Sequence, residues 1–260
     1  MTNSLTSLKL MPILGVLAWS APAAALDLDL YALLLGQHTH AVQDTAGTRV
    51  DYAGLRQDPA WRRLVGTLEA SDPGALSGRN QRLAFWINAY NILAIDWLVR
   101  EGPAASIRDL GSLVQPVWKK PAGRIGGHPV TLDQIENETL RPLGEPRIHF
   151  AIVCASTSCP SLRREPFRAG ELERQLDDQA RSFLANPHKG LVIDRERGKL
   201  RVSKIFDWFD EDFGKEEGTV AFLTRYASAA DWIWLVKHAH RPHLGFLPYD
   251  WNVNAVDGGR

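Results

Sequence analysis

Cysteine is scarce in this sequence: Cys154 and Cys159 are the two found among 260 residues. Such a low content excludes the class of small scaffolds held together by many disulfides. The chain also has no excess of charge of either sign, because 30 basic and 30 acidic side chains give a formal net charge of +0. This balance removes the electrostatic signature of nucleic-acid binding, and we expect no nucleic-acid partner.

The sequence motifs of several common enzyme classes are also missing. There is no phosphate-binding glycine loop and no Gly-x-Ser-x-Gly nucleophile elbow. There is no pair of carboxylates at a spacing typical of acid-base catalysis, and no His-Glu-x-x-His helix that would bind zinc. The sequence therefore predicts no cofactor and no metal.

The N-terminal segment has the features of a secretory signal peptide. Lys9 precedes an apolar stretch of about 10 residues, shorter than the roughly 20 that span a bilayer. The small residues that follow include Ala23-x-Ala25, a typical cleavage site. We therefore predict that residues 1–25 are a signal peptide and that the mature protein is periplasmic or secreted. No stable membrane insertion is expected after cleavage.

Residues 26–260 are predicted to form one domain, because no internal repeat, low-complexity tract or long polar linker divides them. Within this domain, Arg82 to Arg100 is apolar on nearly every face, which is typical of a helix at the centre of a fold. Thr131-Leu-Asp-Gln134 has the pattern of a capping box. It predicts a second helix that runs to about Leu140.

Short strands are predicted in the second half of the chain. Leu191 to Asp194 and Lys199 to Ser203 flank Arg195-Glu-Arg-Gly198, which is typical of a β-hairpin. The alternation over Trp232 to Val236 and the apolar run Leu244 to Pro248 predict two closing strands. The predicted class is therefore α+β, with a buried central helix packed on a small, mostly antiparallel sheet.

Both cysteines lie in the segment Arg147 to Pro160. His149 to Cys154 is short, apolar and β-branched, which predicts a buried strand, and Pro160 suits the first turn of a following helix. A thiol at such a helix N-terminus is favoured as thiolate by the backbone dipoles. However, one close pair of cysteines in an exported protein also favours a disulfide. Redox exchange through the same pair is a third interpretation, although the four intervening residues differ from the Cys-x-x-Cys spacing of thiol oxidoreductases, and two buried, inert cysteines are a fourth. The sequence leaves these interpretations open.

Five segments form a recognisable set: Phe85-Trp-Ile-Asn-Ala-Tyr-Asn91, Leu132-Asp-Gln-Ile-Glu136, His149 to Pro160, Ser203-Lys-Ile-Phe-Asp-Trp-Phe-Asp-Glu-Asp-Phe213 and Pro248-Tyr-Asp-Trp-Asn252. In this order they resemble the domain-of-unknown-function family 547, from about Leu30 to Asn254. The resemblance implies one α+β domain, often exported in bacteria, with a likeness to papain-like or transglutaminase-like thiol enzymes. It also implies that family members have a cysteine more regularly at the position of Cys154 than at that of Cys159, where plant members tend to have serine. Asn137 stands where the family usually has histidine.

A cysteine hydrolase or transferase needs a thiolate, a histidine that accepts or donates its proton, and a polar group that orients the imidazole. Cys154 is the predicted nucleophile, Cys159 is the alternative, and His149 is the predicted general base. Because His149 and Cys154 are five residues apart, an ideal strand would place them on opposite faces. Their contact would need a bulge or the end of the strand.

The predicted orienting groups are Glu136, Asn91 and Asn88. Asn88 and Asn91 lie three residues apart on one face of an otherwise apolar helix. Their amides would donate to an oxyanion, orient the histidine, or tie the helix to a neighbouring backbone segment, and the last of these is favoured. Glu136 has a comparable alternative, an ion pair with Arg141 or Arg147.

Two functions are compatible with these patterns. The first is an exported, thiol-dependent hydrolase or transferase that acts on a peptide, an amide or a small thiol. The second is a non-catalytic exported binding or scaffold domain in which Cys154 and Cys159 form a disulfide. In both, the expected partner is a peptide or a small-molecule ligand.

Overall fold

The computed structural model describes residues 25–102, 104–112, 116–238 and 243–256. The predicted signal peptide therefore lies outside the described residues, apart from Ala25. The described residues form many helices and three small sheets, which confirms the α+β class. Within the same ranges, no helix combines the length and the apolar character needed to cross a bilayer.

A long buried helix lies at the centre of the fold. The α-helices are α1 (Leu28–His38), α2 (Tyr52–Gln57), α3 (Pro59–Glu69), α4 (Arg79–Glu101), α5 (Leu132–Gln134), α6 (Leu172–Ala185), α7 (Ile205–Trp208), α8 (Lys215–Tyr226) and α9 (Ala229–His238). Helix α4 is buried over most of the stretch from Leu83 to Val99. This confirms the predicted central helix. Gly102 follows it with a φ of 99°, which a residue with a side chain rarely adopts.

The strands are short and lie in separate sheets. They are β1 (Thr39–Ala41), β2 (Thr48–Val50), β3 (Pro121–Ile125), β4 (His128–Thr131), β5 (Leu191–Asp194), β6 (Lys199–Val202) and β7 (His243–Phe246). β1 pairs with β2, β3 with β4 and β5 with β6, all antiparallel, and β7 joins β6 in parallel. The predicted hairpin is β5–β6, and one predicted closing strand is β7. Helix α4 packs on the β3–β4 hairpin and on its helical neighbours.

The other predicted closing strand, Trp232 to Val236, is wrong because this segment belongs to helix α9. The alternation of apolar residues does not follow burial: Trp234 is buried, whereas Trp232 and Ile233 are exposed. A helix start signal precedes the segment. The hydroxyl of Ser228 accepts a hydrogen bond from the Asp231 backbone N–H at 3.2 Å, as an N-cap residue does.

The predicted capping box begins α5. The Thr131 hydroxyl accepts from the Gln134 backbone N–H at 3.0 Å, and the Gln134 side chain accepts from the Thr131 N–H at 3.1 Å. The helix then widens into a π-helix over Ile135–Leu140. Single π turns of this kind are frequent at functional sites. Glu136 and Asn137 both lie on this turn.

The predicted strand over His149 to Cys154 is wrong. Residues Pro146–Phe150 form a 3-10 helix, in which Pro146 occupies the first turn. Residues 151–154, which follow it, belong to no strand. The predicted helix after Pro160 is also absent, since the next described helix is α6, which begins at Leu172. Cys159 therefore does not lie at a helix N-terminus, and the dipole argument for its thiolate no longer applies.

Two clusters of buried side chains form the core. One surrounds α4 and includes Ile148, Val153 and Cys159. The other is built around Phe150 and includes residues of α6, α7 and α8. The segment that carries His149 and the cysteines runs from one cluster to the other. Its position explains why side chains from distant parts of the chain meet there.

Candidate functional site

Cys154 and Cys159 are joined by a disulfide, with their Cα atoms 6.3 Å apart. Neither cysteine is free. Both line a pocket of about 260 Å³. Cys154 is half-buried, whereas Cys159 is buried with 3% of its surface exposed. The two cysteines therefore differ in exposure, with Cys154 the less buried residue.

The sulfur of Cys159 accepts two hydrogen bonds. The Cys154 backbone N–H and the Tyr249 hydroxyl both donate to it, each at 3.2 Å. The Ser156 hydroxyl in turn donates to the Tyr249 oxygen at 3.2 Å. Burial raises the pKa of Tyr249, and the nearby carboxylate of Glu136 adds to this rise. The phenol therefore keeps its proton at neutral pH and remains a donor.

A C-terminal segment holds the cysteine loop in place. The backbone N–H of Thr157 donates to the carbonyl of Asn252 at 2.7 Å, and the N–H of Ser158 donates to that of Asp250 at 3.1 Å. Ala155, between the two cysteines, has a φ of 65°, in the left-handed region that residues other than glycine seldom occupy. The contacts on both sides of Ala155 maintain this conformation.

His149 is buried beside the same pocket, with 1% of its side chain exposed. Its Nε2 lies 2.7 Å from Asp212 Oδ2. Arg141 holds Asp212 with two hydrogen bonds, at 2.6 and 2.9 Å. Burial alone would raise the pKa of Asp212, but the hydrogen bonds from Arg141 and His149 outweigh it and lower that pKa. Asp212 is therefore an ionised acceptor that orients the imidazole.

The second imidazole nitrogen of His149 faces Glu136. The Nδ1 atom has no hydrogen-bond partner, and it lies 3.7 Å from Glu136 Oε1. The ring of Phe209 stacks on the imidazole, with ring centroids 4.0 Å apart. No hydrogen bond in the described part of the chain joins His149 to either sulfur. The predicted base and the predicted nucleophile thus share a pocket, but they are not bonded to each other.

Aromatic rings and two carboxylates form most of the pocket wall. Trp208, Tyr249 and Trp251 contact one another, with ring centroids 4.5 to 5.5 Å apart, and Trp118 packs on Trp251. The remaining lining residues are Tyr90, Asp133, Glu136, Asn137, His149, Ile152, Cys154, Cys159, Pro160, Ile205 and Phe209. Burial and the carboxylate of Glu136 raise the pKa of Tyr90 well above its usual value. The wall is therefore apolar, with negative charge on one side.

Asn88 and Asn91 do not line this pocket. Asn88 donates to the Phe167 carbonyl at 2.8 Å and accepts from the Phe167 N–H at 2.9 Å. Asn91 donates to the Ala151 carbonyl at 2.9 Å and accepts from the Val153 N–H at 2.8 Å. Both amides thus tie α4 to neighbouring backbone, which is the alternative considered for them from the sequence. Asn91 supports the residue next to Cys154.

The site contains residues that the sequence patterns did not single out as functional. Asp212 and Trp208 lie within the motif Ser203 to Phe213, and Tyr249 and Trp251 lie within Pro248 to Asn252. Their presence in these motifs was the available signal. Trp118 carried no such signal. One of the ion pairs considered for Glu136 is not formed, because Arg141 pairs with Asp212 instead.

Metal ligands were not predicted, and the described residues contain no cluster of three or more histidine, cysteine or acidic side chains arranged to hold a metal ion. Residues 73–184 match the family described as "Protein of unknown function, DUF547". The matched range contains Glu136, His149 and both cysteines, whereas Asp212 and Tyr249 follow it. No curated protein and no solved structure matches the chain.

Proposed function

Since the chain belongs, through residues 73–184, to the DUF547 family of proteins of unknown function, we propose its activity from the site itself: a thiol-dependent transferase that exchanges its disulfide with a small thiol or a cysteine-containing peptide. The observation that carries this proposal is the asymmetry of the disulfide. Cys154 is the more exposed of the two residues. The Cys159 sulfur accepts two hydrogen bonds of 3.2 Å, which are shorter than the contacts of the Cys154 sulfur with the Ser156 and Tyr249 hydroxyls, at 3.4 and 3.8 Å.

The exchange step follows from this asymmetry. An incoming thiolate attacks the sulfur of Cys154 and forms a mixed disulfide with it, while the bond between Cys154 and Cys159 breaks. The electron pair of the broken bond leaves on Cys159, which becomes a thiolate. The Cys154 N–H and the Tyr249 O–H stabilise that charge, because hydrogen bonds to an ion are about twice as strong as neutral ones. A second thiolate then attacks the outer sulfur of the mixed disulfide, which releases a small-molecule disulfide and leaves both cysteines reduced. Exchange with a disulfide from another molecule re-forms the bond between Cys154 and Cys159 and releases two thiols.

His149 has a role on the substrate side of this reaction. A neutral thiol must lose its proton before it attacks, because the thiolate is the nucleophile. The Nε2 atom of His149 is engaged by Asp212, so Nδ1 is the atom left to accept that proton. Glu136 Oε1 lies 3.7 Å from Nδ1, beside the position where that proton would be held. The predicted general base is thus retained, with the substrate thiol as its partner.

A second candidate is a hydrolase or acyl transferase that becomes active once the disulfide is reduced, as in the papain-like resemblance. The arrangement that favours it is an imidazole oriented by a carboxylate in a pocket with two cysteines, the pattern of nucleophile, base and orienting group. Cys154 would be the nucleophile and Cys159 its masking partner. Asn91 and Asn88 would act only by holding the backbone, and Glu136 by its charge.

We also propose that the protein is exported to the periplasm or secreted. A disulfide persists in an oxidising compartment, whereas cytosolic thiols are kept reduced. The bond between Cys154 and Cys159 is compatible with that environment. Localisation of the tagged full-length chain in cell fractions, with mass measurement of its N-terminus, tests both export and cleavage after Ala25.

The exchange reaction is tested by treating the oxidised protein briefly with excess 2-mercaptoethanol and quenching with iodoacetamide. We expect the mercaptoethanol adduct on Cys154 and the alkyl group on Cys159, as located by peptide mass spectrometry. The variant Tyr249→Phe should react roughly tenfold more slowly, because a hydrogen bond to a charged group contributes about 1.5 to 3 kcal/mol.

The matched control is Tyr226→Phe, which removes a phenol that donates to Asp177, outside the pocket lining. Its exchange rate should equal that of the parent protein. A disulfide that resists 2-mercaptoethanol while the protein is folded, and reacts only after unfolding, would contradict the transferase. That result would favour the non-catalytic binding or scaffold domain.

A further inference from the structure

The carboxylates that line the pocket give it negative charge. Asp133 and Glu136 are the two acidic lining residues, and no lysine or arginine is among the residues that line it. The nearest guanidinium groups are engaged elsewhere: Arg141 holds Asp212, and Arg108 lies over the ring of Trp251. A ligand with a carboxylate or a phosphate would therefore meet like charge in the lining, since Arg141, outside the lining, is already held by Asp212 and interacts with Glu136.

The unpartnered nitrogen of His149 defines the hydrogen bond that is missing. Asp212 is ionised and can only accept, so Nε2 carries the proton between them. In the neutral ring Nδ1 then presents a lone pair. This atom is buried and has no partner, although buried polar atoms are almost always hydrogen-bonded. It requires a donor. The Glu136 oxygen 3.7 Å away is a second acceptor, on a carboxylate that is also hydrogen-bonded to Tyr90.

The aromatic wall adds a second requirement. The faces of tryptophan and tyrosine rings attract cations. Two lining rings already have a guanidinium over them, Phe209 with Arg141 and Trp251 with Arg108, each 5.3 Å from the ring centroid. In the described part of the chain, Trp118, Trp208 and Tyr249 have no such cation. These rings remain available to a ligand.

We infer that the pocket binds a primary ammonium group, which donates to His149 Nδ1 and to Glu136 beside the aromatic wall. An ammonium group has three donors and no acceptor, which suits two neighbouring acceptors. A quaternary ammonium would satisfy the rings but leave Nδ1 without a donor. Resting on the proposed exchange reaction, this binding mode names the substrate class, aminothiols, whose sulfur reaches Cys154 while the ammonium group is held by Glu136. An aminothiol reacts as its thiolate, so His149 Nδ1 accepts from the ammonium group and takes no proton from this substrate.

The experiment compares two thiols of nearly equal size, cysteamine with its ammonium group and 2-mercaptoethanol with a hydroxyl. Rates of mixed-disulfide formation are expressed per thiolate, because the two thiols ionise differently. We expect cysteamine to react roughly tenfold faster, from the added ion pair and cation–π contacts. In Glu136→Gln the ratio of the two rates should fall towards one.

The control variant is Glu138→Gln, on the same π-helix but exposed and not part of the pocket lining. It should keep the parent ratio. A ratio near one in the parent protein, or an unchanged ratio in Glu136→Gln, would overturn the inference. Circular dichroism of each variant excludes a folding defect as the cause.

A second measurement separates this inference from the exchange reaction. Propylammonium has no thiol, so its binding, followed by quenching of tryptophan fluorescence, depends on the pocket alone. We expect saturable quenching by propylammonium and none by propanol. Binding of propylammonium without any thiol exchange would leave the inference standing and remove the proposed transferase. Thiol exchange without a preference for cysteamine would support the proposed transferase and overturn the inference of an ammonium site.

Discussion

Lys189 is a buried cation directly behind the cysteine loop. Its ammonium group, on a side chain with 2% exposure, donates to the carbonyls of Cys159 and Ala46 at 2.6 and 2.8 Å. A third bond, of 3.3 Å, reaches the hydroxyl of Ser161. Three acceptors suit the charged form, but burial opposes it and lowers the pKa of Lys189 to about 7.

This burial predicts a stability that rises with pH. The folded state releases the Lys189 proton near pH 7, whereas the unfolded chain keeps it until about 10.5. Between these values the unfolded state binds more protons, so the free energy of unfolding increases by at most about 1.4 kcal/mol per pH unit. The cost of the buried charge is therefore present in full below pH 7 and has gone above 10.5.

The measurement is urea unfolding of the parent protein and of Lys189→Met at pH 6, 7, 8 and 9. We expect the parent to gain stability relative to the variant as pH rises above 7, with a relative change of less than about 0.5 kcal/mol between 6 and 7. Lys199→Met, at an exposed position of β6, is the control and should show no such dependence. A constant difference across the whole range would mean that the ammonium form persists.

At the scale of elements, the segment from His149 to Cys154 shows how a side chain replaces a strand. Asn91 donates to the Ala151 carbonyl and accepts from the Val153 N–H, the two bonds that a neighbouring strand would otherwise make. The segment thus pairs with a side chain of helix α4 rather than with a strand of a sheet. Asn88 makes the same pair of bonds with Phe167.

Substitution Asn91→Ala should be costly because it leaves two buried backbone groups without partners. At about 1 to 3 kcal/mol for each group, we expect a loss of roughly 2 to 5 kcal/mol in the free energy of unfolding. Asn137→Ala is the matched control. That amide is exposed, and its loss should change stability by less than about 0.5 kcal/mol.

Urea unfolding of both variants provides the comparison. If Asn91 instead orients the histidine, the variant will lose thiol-exchange rate in its folded fraction while stability changes little. The structural role predicts the opposite division, with a large loss of stability and a normal rate in the molecules that remain folded.

Local sequence patterns predicted the elements whose causes are themselves local. The central helix was recognisable because Arg82 to Arg100 is apolar all round, and α5 because Thr131 and Gln134 cap each other. The predicted strand at His149 failed because its hydrogen-bond partner is a side chain 60 residues away in the sequence. The predicted strand at Trp232 is wrong because the prediction gave more weight to the alternation of apolar residues than to the helix N-cap at Ser228.

The site likewise combines features with a local cause in the sequence and contacts between distant residues. The cysteine loop was predicted as its location because both thiols lie there. Tyr249, which donates to Cys159, is 90 residues away, and Asp212 is 63 residues from His149. No pattern within one segment reports such contacts. The hypothesis of His149 as a base therefore lacked its orienting partner until the fold brought Asp212 to it.

At the scale of the whole molecule, the disulfide closes a very short loop, with five residues of separation. Loop-closure entropy predicts a contribution of about 2 kcal/mol for so short a ring. The double variant Cys154→Ser with Cys159→Ser should therefore melt roughly 4 to 8 °C lower than the oxidised protein. Calorimetry of both proteins checks this value.

The reduced parent protein is the control, since it has no disulfide but keeps both sulfur atoms. Its melting temperature should lie near that of the double variant. Equal melting temperatures for oxidised and reduced protein would show that the disulfide has no structural contribution, which leaves chemistry as its purpose.

The C-terminal segment that holds the cysteine loop also fixes the order in which the site is assembled. The two cysteines are close neighbours in the chain and can pair early, whereas the bond from Thr157 to Asn252 closes a span of 95 residues. Contacts over such spans form slowly, because the entropy of closing the chain must be overcome first. The disulfide can therefore form before the pocket does. In that interval the nascent chain has its reactive bond but lacks the pocket lining that restricts which thiols reach it.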